Sequence, residues 1–237
     1  MLQFNQIEFV WRINMKLNKL IVATGAVLAT AVATPGFAQM KEFVGASVYG
    51  STGYNTWSTE WSGLSYSGTS VTADTSTSAG FPLYVGIDHT WALSDTNSLG
   101  LSIERNFIKS STGNTCFYAG GASQGCGTVT VDDSYQVSIL PGVLIDKNSL
   151  VYGKLGYYSA GITVAGTSQS WTYTQTGYSL GAGVKKLFHL DSAGNNFYIF
   201  GESNYRFGNS AGQSLGSVTG DLKLGGMNVL VGLGMHF

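Results

Sequence analysis

From Met227 to the last residue the chain alternates strictly. Met227, Val229, Val231, Leu233, Met235 and Phe237 form one row, and Asn228, Leu230, Gly232, Gly234 and His236 the other. A repeat of two is the repeat of a β-strand, whose successive side chains point to opposite faces. Seven earlier segments carry the same pattern: 43–50, 81–93, 98–108, 131–145, 150–160, 171–188 and 197–207. In the second of these, Leu83, Val85, Ile87, His89 and Trp91 oppose Tyr84, Gly86, Asp88 and Thr90. After Ala38 no amphipathic helix of useful length competes with these eight strands.

The connections alternate in length. Short turns (Ser94–Asn97, Asp146–Ser149 and 189–196) alternate with long stretches rich in Ser, Thr and Gly (51–80, 109–130, 161–170 and 208–222). Strands that run up and down would gather the long connections at one end. Which face points inward follows from charge. A soluble sandwich or lipocalin-type barrel turns its apolar face inward and covers its exterior with charge. Here charged residues are only 11% of the chain, against about 25% in an ordinary domain. Those within the strands lie mostly on the face of small residues. An eight-stranded barrel has an interior that side chains just fill, so the small and charged row fits inside. The apolar row then faces out, which is stable only in lipid, where every backbone group must be paired and the sheet must close. The expected fold is all-β, an eight-stranded antiparallel transmembrane up-and-down β-barrel. Trp91, Phe197 and Phe237 are expected in one aromatic girdle, Tyr135, Tyr157 and Tyr205 in the other.

The N-terminal segment reads as a signal peptide over residues 1–38, with the true start at Met15. Lys16 and Lys19 precede an apolar run from Leu20 to Ala33, and small residues lead to a cleavage site after Ala38. Residues 39–237 form the barrel domain, with nine Lys+Arg and twelve Asp+Glu, a net charge of -3. That charge suggests no nucleic acid partner. In an exported chain Cys116 and Cys126, ten apart, read as a disulfide stapling a loop tip, the alternative being two idle thiols. With no His nearby they do not make a metal site, and no cofactor is expected.

The stretches Leu150–Gly161 (LVYGKLGYYSAG), Gly177–Phe188 (GYSLGAGVKKLF) and Phe197–Gly208 (FYIFGESNYRFG), followed by the Phe-terminated strand, resemble the small outer-membrane β-barrel superfamily. This is the Opa/OmpA-like "porin family" of Gram-negative surface proteins. The resemblance implies location in the bacterial outer membrane, contact with its lipid and lipopolysaccharide, and a C-terminal signature at Phe237 read by the assembly machinery. It implies no single activity, because the group includes adhesins, structural proteins and narrow pores.

Inward-facing Asp88, Glu104, Lys154, Lys185, Glu202 and Arg206 form a candidate lumen charge network. It reads either as a plug of paired charges or as an ion path with exchanging pairs. Glycines on the lumen face leave room for the second reading, a small passive channel. Arg105, with Lys109 beyond it, reads as a lipopolysaccharide contact or as a cation snorkelling into headgroups. Tyr54, Trp57, Trp61 and Tyr66 in the first long connection, with Phe117 and Tyr118 in the cysteine loop, could offer an adhesive surface toward a host or surface ligand, or pack on one another. No catalytic residue is expected. A deacylase-like site needs His and Ser two apart beside a carboxylate, whereas His89 has Trp91 at that spacing, His189 has Asp191, and His236 is penultimate. The expected role is therefore structural or interactive, with the passive pore as alternative.

Overall fold

A computed structural model describes residues 40–66, 68–165, 170–189, 196–215 and 218–237. The leader assigned to residues 1–38 lies outside the described residues. After a short 3-10 helix, Met40–Phe43, the described chain is all strand: β1 (Gly45–Tyr66), β2 (Thr69–Ala73), β3 (Ser76–Gly80), β4 (Leu83–Ala92), β5 (Asn97–Asn106), β6 (Ser110–Ala119), β7 (Ala122–Asp146), β8 (Ser149–Ala165), β9 (Ser170–His189), β10 (Asn196–Gly208), β11 (Ala211–Leu215) and β12 (Val218–His236). β1, β4, β5, β7, β8, β9, β10 and β12 pair in that order, all antiparallel, and β12 returns to β1 over Ser47↔His236 to Tyr66↔Val218. The sheet is therefore a closed eight-stranded barrel, without the free edge that lipid forbids.

The outward row is apolar between the two girdles. Val85, Ile87, Leu101, Ile103, Val137, Ile139, Leu180, Val184, Val231 and Leu233 all lie on the outer surface. Trp91, Phe188, Phe197 and Phe237 mark one border. Tyr135, Tyr157, Tyr178, Phe107 and Phe207 mark the other, with Tyr157 against Tyr178 and Tyr205 against Phe207 edge to face. The outward row of β12 from Phe237 to Met227, at the rise and tilt of barrel strands, spans about 25 Å, the height of a bilayer's apolar band. The two short turns inside the described residues lie at the Trp91 end. The Leu93 N–H donates to Asn97 O, and the Asn148 N–H donates to the Asp146 carboxylate.

The long connections depart from expectation. Residues 51–66, 122–130, 161–165 and 218–222, read as loop from their Ser, Thr and Gly, are strand. Thr, Tyr, Trp and Val favour strands, and the alternation continues beyond the membrane with its polarity exchanged. In β8 the outward row runs Val151, Leu155, Tyr157, then Ser159, Thr163, while the inward row runs Tyr152, Lys154, Gly156, then Tyr158, Ala160, Ile162, Val164. In β12 the inward Leu222 and Leu224 are fully buried, and Asp221 and Lys223 face water. Outside the bilayer the exterior must be polar and the interior apolar, so the strands that continue past the girdle, such as β8 and β12, exchange the polarity of their two rows there. In β7 a bulge between Val131 and Ser134 keeps both of those residues inward. Cys116 and Cys126 oppose each other across the β6–β7 hairpin and are disulfide-bonded. Its two-residue turn, Gly120–Gly121, has positive φ at both positions, as a type I′ turn requires.

The lumen glycines are not vacant space. A Cβ added to Gly86 would fall on the Tyr49 ring, at Gly183 on Tyr152, at Gly232 on Phe200, at Gly234 on Tyr198 and at Gly177 on Tyr158. Each glycine is the slot for a ring from another strand. We expect Gly232→Val to lower stability by about 1–3 kcal/mol through overpacking, measured by urea unfolding in micelles. Gly50→Ala, on the outer face with its nearest contact 3.9 Å away, should change it by less than about 0.5 kcal/mol.

Candidate functional site

The lumen is built in layers. At the turn end Met40 and Phe43 fold under the barrel and join Tyr49, Leu144, Leu150, Leu187, Tyr198 and Phe200 in an apolar plug. The Met40 N–H donates to Asp95 O at 3.1 Å and fixes that segment. At the same level the buried His236 links the last strand to the first. One ring nitrogen, Nε2, is 3.0 Å from Val44 O and can only donate to it, and the other, Nδ1, is 3.0 Å from Ser47 Oγ. This Ser–His contact crosses strands and escapes a search for neighbours along the sequence. A backbone carbonyl, and not a carboxylate, takes the second nitrogen.

Above the plug lie two ion clusters. Lys185 Nζ is 2.8 Å from Asp88 Oδ2 and sits over the Tyr198 ring, whose hydroxyl donates to the same oxygen at 3.4 Å. One level outward Lys154 Nζ bridges Glu104 Oε2 at 2.9 Å and Glu202 Oε1 at 2.7 Å. Tyr49 and Tyr152 donate to the two glutamates at 3.1 and 3.0 Å. All five charged side chains are buried. Between the clusters is a cavity of about 10 Å³, roughly what one water needs. β8, β5 and β10 bring the triad together because each carries its charge on the inward row at the same depth.

Arg206, grouped with these charges in the sequence, stands apart from them. It lies further out, fully buried, and bonds neutral acceptors, Asn55 Oδ1 at 3.2 Å and Tyr84 Oη at 2.6 Å. Its guanidinium lies 4.6 Å over the Trp57 ring. Between Arg206 and the triad, Asn204 donates to Gln136 at 3.2 Å. The triad carries one excess negative charge, the Lys185–Asp88 pair none, and Arg206 one positive, so these six buried charges of the described lumen sum to zero. Beyond Arg206 the interior becomes apolar: Trp57, Val129, Val131, Tyr158, Ala160, Ile162, Val164, Leu222 and Leu224 form one buried cluster.

That cluster decides between the two readings of the loop aromatics, surface or mutual packing, in favour of packing for Trp57, Trp61 and Phe117. Trp57 is 0% exposed, and Trp61 and Phe117 pack against the same core, 5.5 Å apart edge to face. Trp57 and Trp61 sit on the inward row of β1 where it continues past the membrane, and Phe117 lies on β6 beside it. Tyr54 and Tyr66 remain exposed, and Tyr118 donates to Asp74 at 3.2 Å. Arg105 and Lys109 are not bare cations. Arg105 Nη2 is 2.9 Å from Asp133 and between the rings of Phe107 and Tyr135, and Lys109 Nζ is 2.8 Å from Asp132. The β7 bulge turns both aspartates outward to meet them. The bond to Asp132 raises the Lys109 ammonium above its ordinary range.

No family model and no curated protein sequence matches the chain. Solved structures similar to it include the attachment invasion locus protein Ail of Yersinia pestis, 18% identical over 79% of this chain and 99% of that one, TM-score 0.37. Others are the outer membrane protein OprG of Pseudomonas aeruginosa, 12% identical over 85% and 99%, TM-score 0.47, and the outer membrane protease OmpT of Escherichia coli, 11% identical over 81% and 97%, TM-score 0.43. At values this low, this chain's own strand register and surface belt are the grounds for its assignment. A closed, even-stranded antiparallel barrel with an apolar belt between aromatic girdles is a transmembrane barrel of the bacterial outer-membrane type.

Removing Lys154 leaves two buried carboxylates unpaired, so Lys154→Met should destabilise by about 3–5 kcal/mol. Adding Glu104→Gln and Glu202→Gln to it should restore much of the loss. Arg105→Met, at a half-exposed pair, should change stability by less than about 1 kcal/mol. Denaturant titration in micelles checks all three.

Proposed function

We propose that the chain is a surface protein of the bacterial outer membrane with a closed lumen, structural within the bilayer and interacting with its surroundings through the strand wall that rises above it. One observation carries this reading: the lumen is filled along its length, with an apolar plug, two ion-paired clusters, an arginine layer and an apolar cap in succession. A passive path for ions needs a continuous polar route, and two apolar layers interrupt it. The charged clusters then act as an internal brace that fixes the barrel's cross-section, since paired buried charges hold their partners strictly in place.

In this reading residues 1–38, starting at Met15, direct export, and the Phe237-terminated strand is recognised by the assembly machinery. Arg105 and Lys109 meet lipopolysaccharide phosphates only as members of ion pairs with Asp133 and Asp132, which limits their contribution. The chemistry proposed is recognition, without catalysis.

Single-channel recording tests the proposal. Protein extracted from membranes and verified as folded should leave a planar bilayer silent. Discrete conductance steps that change in Lys154→Ala would instead establish a small pore lined by the ion clusters and would sink the closed-lumen reading.

A further inference from the structure

Above the membrane the barrel wall is joined on one side and parted on the other. On the joined side β7 pairs with β6, β6 with β2, and β2 with β1. On the other side β10 leaves β9 at Gly208↔Gly177. After two residues the chain continues as β11, which pairs with β12. β9 stays with β8 as far as Ser170. Among the described residues, no strand pairs with the other edge of β9 from Ser170 to Gln175. The two strands part at a latch: the Asn209 N–H donates to Thr176 O at 2.9 Å, the Gln175 amide donates to Asn209 O, and the Asn209 amide donates to Thr176 Oγ1 at 3.4 Å.

The latch sets the direction of the free backbone. The Thr176 carbonyl points to the parted side, so by the period of two those of Thr174 and Thr172 do as well. The backbone groups of Trp171, Tyr173 and Gln175 point to β8. The side chains are sorted in the same register. Thr172 and Thr174 are exposed outward, while Trp171 and Tyr173 pack half-buried against the apolar cap. Gln175 is 0% exposed, and its Oε1, like Tyr173 Oη, has no protein partner among the described residues. Proteins blunt such edges with lysine, proline, bulges or short strands. This edge reads Ser-Trp-Thr-Tyr-Thr-Gln, without charge, proline or glycine and rich in strand-forming residues.

We propose that the outer edge of β9, Ser170–Gln175, is a peptide-docking site that takes an extended segment of another protein as an added strand. The partner segment alternates, with apolar side chains inward beside Trp171 and Tyr173 and hydroxyl or other polar side chains outward beside Thr172 and Thr174. The partner is not a second copy in the same membrane. Two barrels related by an axis along the membrane normal face each other with strands tilted about 40° in opposite senses, so their β9 edges cross at about 80° and cannot pair. This inference deepens the surface-interaction reading and rests on it.

Amide hydrogen exchange by NMR on the full protein in nanodiscs tests it, with a peptide of alternating threonine and valine, lysine at each end, as probe. In the free protein the Trp171 and Tyr173 amides should exchange slowly and those of Thr172 and Thr174 fast. Saturating peptide should slow Thr172 and Thr174, and the same peptide N-methylated on its bonding edge should not. Thr174→Pro removes one free N–H without touching the β8 ladder and should weaken binding about tenfold. Thr172 and Thr174 amides already slow without peptide, or still fast at millimolar peptide, would overturn the proposal. So would N-methylated peptide binding as well as the parent. Such a failure alone leaves the closed-lumen reading standing, whereas conductance steps would overturn that reading itself.

Discussion

A strand that leaves the bilayer without leaving the barrel has to exchange the roles of its two faces, and the rest of this structure depends on that exchange. Inside the membrane the solvent is outside and apolar, so the polar row turns inward. Above it the solvent is water and the same wall must hide apolar groups. β8 makes the change in one step at Tyr157 and Tyr158, neighbours on opposite faces: Tyr157 lies in the girdle with 47% of its surface exposed, and Tyr158 is buried with its hydroxyl donating to Leu224 O at 2.6 Å. Tyrosine suits both posts, with an apolar body and a polar end. The consequence is an apolar cap seated directly over a polar lumen.

Sealing follows from the same arrangement. With an apolar layer at each end, the buried charges sit in a medium of low effective dielectric, where unpaired groups are very costly and paired ones hold strongly. The lumen accordingly contains paired charges, tyrosine hydroxyls aimed at carboxylates, and glycines that admit those tyrosine rings. Arg206 sits at the boundary of polar and apolar layers. Aromatic faces and neutral acceptors surround it, and the excess charge of the Glu104–Lys154–Glu202 triad balances it from one layer away.

Within the membrane this architecture was legible in the residues themselves. The period of two, the sorting of Asp88, Glu104, Lys154 and Glu202 onto the small row, and the girdle aromatics all follow from local pattern and the demand that lipid-exposed backbone be paired. What lay beyond the membrane was harder to read. Ser, Thr and Gly are as common in loops as on the watered face of a strand, so 51–66 and 122–130 read as loop, and Trp57 and Trp61 as loop residues either exposed or packed on one another. The inversion was visible only as a change of phase, for instance in Tyr158, Ala160, Ile162 and Val164 after Tyr152, Lys154 and Gly156. The lumen glycines pointed to empty space because a slot and its ring lie on different strands, as Gly232 and Phe200 do. The Ser47–His236 contact and the pairing of Asp132 and Asp133 with Lys109 and Arg105 are likewise products of register, which spacing along one strand does not encode.

The exchange of faces can be measured along β8. Single nitroxide labels at each position from Val151 to Thr163 report collision with oxygen, which concentrates in lipid, and with a water-soluble nickel chelate. The outward positions 151, 153, 155 and 157 should favour oxygen, and 159, 161 and 163 the chelate. The inward positions 152 to 162 should meet neither. Chelate access to the inward row at 154 and 156 would mean a water-filled lumen. Oxygen preference persisting through 163 would place the strand extension in the bilayer. Either result would contradict the account.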